Sequence, residues 1–128
     1  MKTLIVEDDF TSSLLLQGIL NRYGPSHTVL NGHEAVRTAI DSGEPSDLIC
    51  MDIMMPGMDG HEAPQQIRAL EEAKAIIAIK RAKIVMTTAL GDSKNILASF
   101  KGQCDAYLTK PVDKAKLLDE LRKLKLIE

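Results

Sequence analysis

"DLICMDIMMPGMDG", which spans residues 47–60, places an acid directly after an uninterrupted apolar run. The run over residues 48–51 has the composition of a short strand that is buried on both faces, and Asp52 follows it at once. More apolar residues and the Pro56-Gly57 turn signal come next. The position of Asp52, at the end of a predicted buried strand, therefore needs a chemical explanation.

The rest of the chain alternates short apolar runs with segments of helical periodicity. The other predicted strands cover residues 3–6, 28–30, 84–86 and 106–108. Helical spacing of apolar residues predicts helices over residues 12–23, 32–42, a segment after residue 60, 93–100 and 113–126. Five strand–helix units predict an α/β fold, a doubly wound five-stranded parallel sheet with five helices.

Length and composition limit the class of protein. The chain has 128 residues and a formal net charge of -2, which predicts a single domain over residues 1–128 that binds neither nucleic acid nor membrane. The N-terminal apolar run, residues 4–6, is too short for a signal peptide, and no run is long enough for a membrane span. Cys50 and Cys104 lie far apart, which predicts two reduced thiols. We therefore expect a cytoplasmic protein.

Polar residues collect where the predicted strands end. In strand order they are Glu7-Asp8-Asp9, Asp52, Thr87-Thr88 and Lys110-Pro111. The functional site of a doubly wound sheet lies outside the carboxyl ends of its strands. We therefore expect these residues to lie together at one edge of the sheet.

This set of residues suits phosphoryl chemistry assisted by a metal ion. Neighbouring carboxylates repel each other unless a cation or a proton intervenes, and Mg²⁺ prefers oxygen ligands of this kind. A lysine can bind phosphate oxygens, and a carboxylate can attack phosphorus to form an aspartyl phosphate. Taken alone, each residue has an ordinary explanation; Asp9, for example, is typical of a helix N-cap. Their joint position at the strand ends favours the chemical explanation.

Five stretches carry a resemblance to a known family. They are LIVEDD (residues 4–9), NGHEA (31–35), DLICMDIMMPGMDG (47–60), TTA (87–89) and YLTKP (107–111). With these motifs the chain resembles, over essentially its whole length, the receiver domain of bacterial two-component response regulators. In length it is similar to the stand-alone, CheY-like members. The resemblance implies a flavodoxin-like fold.

The resemblance also implies a phosphoacceptor and a metal site. Asp52 would accept the phosphoryl group. Asp8 would bind Mg²⁺ directly and Glu7 would bind it through water. Asp52 and the backbone carbonyl of Met54 would complete the protein's share of the ligands. Asp9, the third acid, lies outside this set.

A conformational switch is the next implication of the resemblance. Lys110, whose bond to Pro111 is expected to be cis, would contact the phosphoryl group, and so would the hydroxyl of Thr88. Of two adjacent threonines we choose Thr88, because a small residue follows it as in the family and because its spacing to Lys110 fits better. Thr87 should then face the other side of the sheet. Tyr107 would change rotamer on activation.

These implied roles describe a signalling protein, not an enzyme that turns over external substrates. A histidine kinase would donate the phosphoryl group. The surface of the fourth helix, fifth strand and fifth helix would then change shape and regulate a separate partner protein. The chain would act as a monomer or weak homodimer. Met54 and Leu90 are apolar and flank the path of the attacking water, so we expect slow self-dephosphorylation.

Two other classes of protein remain open at this stage. A phosphatase with an aspartate nucleophile needs a second acid two residues after it, where this chain has Met54. A constitutive interaction module that ignores phosphate would not need Asp8, Asp52, Thr88 and Lys110 together. Both alternatives are therefore less favoured than the signalling switch.

The segment between the third helix and the fourth strand is unusual. Residues 71–82, EEAKAIIAIKRA, are longer than expected there and could extend the helix or form an extra turn. Pro64 would cost about 3 kcal/mol inside a helix. The third helix is therefore expected to begin near Ala63, with Pro64 in its first turn.

Overall fold

A computed structural model describes residues 1–41, 46–52, 62–73, 81–88 and 104–128. Within them, five strands form one parallel sheet in the order β2-β1-β3-β4-β5. The strands are β1 (Thr3–Val6), β2 (Ser26–Val29), β3 (Leu48–Asp52), β4 (Lys83–Thr88) and β5 (Ala106–Thr109). After β1 the chain adds β2 on one side of it and then β3, β4 and β5 on the other side. The direction of the strand order therefore switches between β1 and β3. The predicted doubly wound parallel sheet is confirmed.

Four α-helices accompany the strands in the described residues. They are α1 (Phe10–Leu20), which a 3-10 turn at Asn21–Tyr23 extends, α2 (Gly32–Asp41), α3 (Glu62–Ala73) and α4 (Lys114–Lys123). Pro64 lies in the first turn of α3, as predicted, where a missing N–H leaves no intrahelical bond unmade. The helix predicted over residues 93–100 lies outside the described residues. Among the helices in the described part of the chain, none is long and apolar enough to cross a membrane.

Aspartates begin the first and last of these helices. Asp9 accepts a hydrogen bond at Oδ2 from the backbone N–H of Ser12 (2.9 Å), and Asp113 accepts one at Oδ1 from the backbone N–H of Lys116 (3.1 Å). Each bond satisfies one of the N–H groups that the first turn of a helix leaves without a partner. Asp113 is therefore the N-cap that the sequence predicts, and Asp9 moves the start of α1 ahead of the predicted residue 12.

Helices cover both faces of the sheet, which explains why its central strands are apolar throughout. On one face, α2 and α3 pack against alternate strand residues that include Leu4 and Ile49. On the other face, α1 and α4 pack against Ile5 and Cys50. Two separate hydrophobic cores result, and alternate residues of β1, β3 and β4 belong to different cores.

The edge strand β2 differs from its prediction. It covers Ser26–Val29 and not residues 28–30. Ser26 and His27 are exposed, and in the described residues β2 is an edge strand that pairs with β1 alone. The apolar pattern that located the other strands is therefore missing from the first half of this one.

An ionic network joins α3 to the amino ends of β4 and β5. Arg68 Nη1 donates to Glu71 Oε1 (2.7 Å) and to the carbonyl of Ala82 (2.8 Å), and Nη2 lies 3.1 Å from Asp105 Oδ2. The backbone N–H of Ala82 donates to Glu71 Oε2, and that of Ile84 donates to Asp105 Oδ2, both at 2.8 Å. The two ends of the long segment 71–82 are thus bonded to each other. Residues 74–80 lie outside the described residues.

Candidate functional site

Three carboxylates meet at the carboxyl edge of the sheet. Glu7 and Asp8 follow β1, and Asp52 ends β3, so the pairing of these neighbouring strands brings the acids together. One oxygen from each of the three lies within 4.8 Å of the others. Glu7 and Asp52 are buried, whereas Asp8 is exposed, so solvent reaches this acidic cluster from the side of Asp8. The predicted juxtaposition is therefore present, at the switch in strand order.

Lys110, which follows β5, extends across β4 to the acidic cluster. Its Nζ lies 2.8 Å from Glu7 Oε2 and 3.2 Å from Asp52 Oδ2. Its backbone N–H donates to the carbonyl of Thr88 (2.7 Å), and its bond to Pro111 is cis, as the resemblance implies. One ammonium group thus pairs with two buried carboxylates.

Burial and charge oppose each other in this cluster. Burial raises the pKa of Glu7, and the charge of Asp52 adds to the rise, although hydrogen bonds from Lys110 and from the Asp9 backbone N–H (3.0 Å) favour the charged form. Burial also disfavours the charged form of Lys110. Its hydrogen bond to Glu7 and the charges of Asp52 and Glu7 outweigh that effect, and the pKa of Lys110 is raised. The lysine therefore remains an ammonium at neutral pH.

The donor set of the acidic cluster fits Mg²⁺. This ion binds proteins through one or two carboxylates, keeps several waters and takes further oxygens from a phosphate. Glu7, Asp8 and Asp52 supply carboxylate oxygens, and the exposure of Asp8 leaves room for water. Lys110 carries one positive charge against three acids, so a divalent cation would complete the charge balance. Met54, the fourth predicted ligand, lies outside the described residues.

Asp9 serves the helix and not the acidic cluster. Its Oδ2 accepts hydrogen bonds from the hydroxyl (2.7 Å) and the backbone N–H (2.9 Å) of Ser12. The hydroxyl bond and the backbone bond together lower the pKa of Asp9. The ordinary explanation of this acid as an N-cap is confirmed.

We expect asparagine at position 9 to remove a pH-dependent part of the stability. Because the bonds from Ser12 hold the pKa of Asp9 below its unfolded value, the carboxylate stabilises the folded state above the unfolded pKa, and this contribution is lost as the pH falls through the folded pKa. Asparagine caps a helix without titrating. Urea unfolding of the metal-free protein between about pH 7 and about pH 3 should show the stability difference between parent and variant shrinking as pH falls. A difference independent of pH would contradict this role.

The two threonines at the end of β4 face opposite sides of the sheet. Thr87 is the register partner of Asp52 and lies on the face that packs against α1 and α4. Thr88 lies on the face of Met86, and so does Tyr107, the register partner of Met86. Both threonines are buried, and Tyr107 is 54% exposed. The opposite orientation of the threonines is as expected, but Thr87 is the one that shares the face of Asp52.

Thr87 is thus a polar residue to which the sequence analysis gave no role. Strand alternation predicts the orientation of Thr87, because residues two apart in a strand face the same side of the sheet and Val85 is buried. The register between β3 and β4 decides which residue lies beside Asp52, and sequence alone does not specify it. Met54 and Leu90, on which the expected slow self-dephosphorylation depends, lie outside the described residues.

The doubly wound parallel sheet defines a flavodoxin-like domain. The acidic cluster, paired with Lys110, marks its functional site at the carboxyl ends of the strands. Residues 3–122 match the response regulator receiver domain, and the chain belongs to that family. Receiver domains are phosphorylation-dependent switches of two-component signalling and not classical enzymes.

Relatives and solved structures agree with this assignment. PilH from Pseudomonas aeruginosa is 36% identical over 120 residues, which cover 91% of each chain. The receiver domain of the sensor histidine kinase PA1611 from P. aeruginosa, crystallised with magnesium in its active site cleft, is 31% identical with a TM-score of 0.76 and 97% of each chain covered. The co-crystal structure of Ypd1 with the Ssk1 receiver domain from Saccharomyces cerevisiae contains a chain 30% identical, with a TM-score of 0.78, covering 97% of this chain and 88% of that one. Other relatives are far longer; this chain spans 12% of two sensor kinases that it matches.

Proposed function

We propose that Asp52 accepts a phosphoryl group from a phosphohistidine, with Mg²⁺ bound beside it, and that this step switches the chain between two signalling states. The observation that carries the proposal is the Lys110 ammonium, which pairs with Glu7 and Asp52 next to Asp8. Acids and an ammonium held together at the strand ends can bind both a divalent cation and phosphoryl oxygens.

In the transfer step, an Asp52 carboxylate oxygen attacks phosphorus in line with the donor nitrogen. The new O–P bond forms as the P–N bond breaks, and the histidine of the donor protein leaves with the electron pair and takes up a proton. Lys110 turns toward the oxygens of the transferred group and offsets their charge. Mg²⁺ held by Glu7, Asp8 and Asp52, and by the backbone carbonyl of Met54, would supply the remaining charge neutralisation.

The proposed relay to the surface uses Thr88 and Tyr107, which lie on the same face of the sheet. Although Thr88 faces away from Asp52 within β4, its movement toward the phosphoryl group at the strand end would open a space that the exposed Tyr107 ring can enter. The output surface would then comprise β5, α4 and the helix predicted over residues 93–100. A partner that prefers the altered surface would shift the population of the two states.

The proposed donor is a histidine kinase or a histidine phosphotransfer protein. PA1611 is itself a sensor histidine kinase, and the Ssk1 receiver domain was crystallised with a phosphotransfer protein. Those facts concern the relatives, and they support a phosphohistidine donor for this chain. A cytoplasmic location, a separate downstream partner and a monomeric or weakly dimeric state stay predictions.

Intact mass after incubation with acetyl phosphate tests this function. We expect one phosphoryl adduct in Mg²⁺ and none in EDTA, because the carboxylates need a second cation once Lys110 turns to the phosphoryl group. After the donor is removed, the adduct should decay slowly, since neither Met54 nor Leu90 can orient a water. If calorimetry shows Mg²⁺ binding but no adduct forms, the proposal fails and a constitutive interaction module is favoured.

A further inference from the structure

Thr87 carries a buried hydroxyl that has no hydrogen-bond partner among the described residues. The residue is 2% exposed, and within the part of the chain that the structure describes its hydroxyl neither donates nor accepts a hydrogen bond. A buried polar group without a partner destabilises the state in which it occurs. A threonine at this position therefore points to another state of the protein, in which the hydroxyl is bonded.

Strand register places Thr87 beside the phosphoacceptor and under the lysine. Thr87 is the partner of Asp52 on one side and of Leu108 on the other. Laterally paired residues of a parallel sheet extend from the same face. Lys110 follows β5, and its Nζ bonds to Asp52 on that same face. Since its Nζ reaches Asp52 on β3, its side chain passes over the end of β4, the strand that lies between β5 and β3 and that carries Thr87.

A divalent cation and the Lys110 ammonium compete for the same two carboxylates, Glu7 and Asp52. Nζ is 2.8 Å from Glu7 Oε2 and 3.2 Å from Asp52 Oδ2, and both acids belong to the acidic cluster. When these oxygens turn toward a cation, the ammonium loses partners while its side chain is only 23% exposed. An ammonium has three N–H donors and no acceptor, so it needs a new oxygen nearby. Thr87, the register partner of Asp52, offers a hydroxyl oxygen on the same face.

We propose that Thr87 is a positioning residue whose hydroxyl accepts a hydrogen bond from Lys110 when the acidic cluster holds a divalent cation. The lysine then stays beside Asp52, in reach of an incoming phosphoryl group. This inference rests on the proposed function, because it requires cation binding at the cluster. While Lys110 bonds to Glu7 and Asp52, the Thr87 hydroxyl has no partner among the described residues.

The Thr87→Val variant, which keeps the side-chain shape and removes the hydroxyl, tests this role. Calorimetric titration with Mg²⁺ should show an affinity about fivefold weaker than that of the parent, the value of roughly one net hydrogen bond. Urea unfolding in EDTA should show the opposite sign, with the variant at least as stable as the parent. Thr87→Ser, which retains a hydroxyl, should restore Mg²⁺ affinity. A purely structural threonine would change stability without this opposite change in metal affinity.

A double-mutant cycle with Lys110→Met separates the possible outcomes. In that background, Thr87→Val should change Mg²⁺ affinity by less than about twofold, because the ammonium is absent. An unchanged affinity in the single variant would overturn the inference and leave the proposed function intact, and so would an equal loss in both backgrounds. A parent protein that binds no Mg²⁺ would overturn both. Should valine prevent folding, Thr87→Ala supports the same comparison.

Discussion

Replacing Asp52 with asparagine is expected to abolish the phosphoryl adduct completely. The amide is a poor nucleophile and carries no charge with which to hold a cation, so both parts of the transfer chemistry are lost. The fold should survive, because Lys110 keeps its 2.8 Å bond to Glu7. The variant also removes the charge of Asp52, which contributes to the raised pKa of Glu7. Intact mass after incubation with acetyl phosphate and Mg²⁺, together with circular dichroism, measures both expectations.

Asp9→Asn is the matched control for this experiment. It makes the same chemical change in a neighbouring acid that caps α1 and whose side chain bonds to Ser12. This variant should form the adduct as the parent does. An adduct of undiminished size on the Asp52 variant would place the acceptor at another residue and contradict the assignment.

The Glu71→Ala variant is expected to show the largest loss of stability, about 3 kcal/mol in the free energy of unfolding. The Glu71 side chain is 9% exposed and accepts bonds from Arg68 (2.7 Å) and from the backbone N–H of Ala82 (2.8 Å). Its removal leaves a buried N–H unsatisfied and deprives the partly buried guanidinium of one of its two carboxylates. Urea denaturation with a two-state fit measures the effect.

Glu72→Ala provides the comparison, because Glu72 is the adjacent acid on the same helix and is exposed. Its replacement should change stability little. The network lies at the amino ends of β4 and β5, away from the acidic cluster, so folded Glu71→Ala protein should still form the phosphoryl adduct. Equal destabilisation by the two variants would show that the network contributes nothing beyond helix propensity.

Most of the fold could be predicted from sequence because a parallel sheet covered on both faces requires continuous apolar strands. The central strand β3 has this character over its first four residues, and β1 was predicted with its observed bounds. The edge strand β2 was misplaced because Ser26 and His27 need no apolar side chain there. Polar edge strands lack the signal on which the other predictions rest.

The site was predictable in its position and not in its pairings. Glu7, Asp52 and Lys110 lie at or just after the ends of predicted strands. The carboxyl ends of parallel strands meet at one edge of the sheet, so the topology alone brings these residues together. The closer bond of Lys110 to Glu7 than to Asp52 depends on side-chain reach, and the position of Thr87 depends on strand register. The contact of Arg68 with Asp105 joins residues 37 positions apart, for which no local pattern exists.

The adjacent threonines at the end of β4 also link the two faces of the sheet through a single peptide unit. Thr87 and Thr88 share one peptide unit, yet one side chain belongs to the compartment of Asp52 and the other to that of Tyr107. Each compartment is close-packed, and moving its apolar side chains would be costly. Because one backbone segment carries both side chains, a displacement of the end of β4 would be felt on both faces of the sheet.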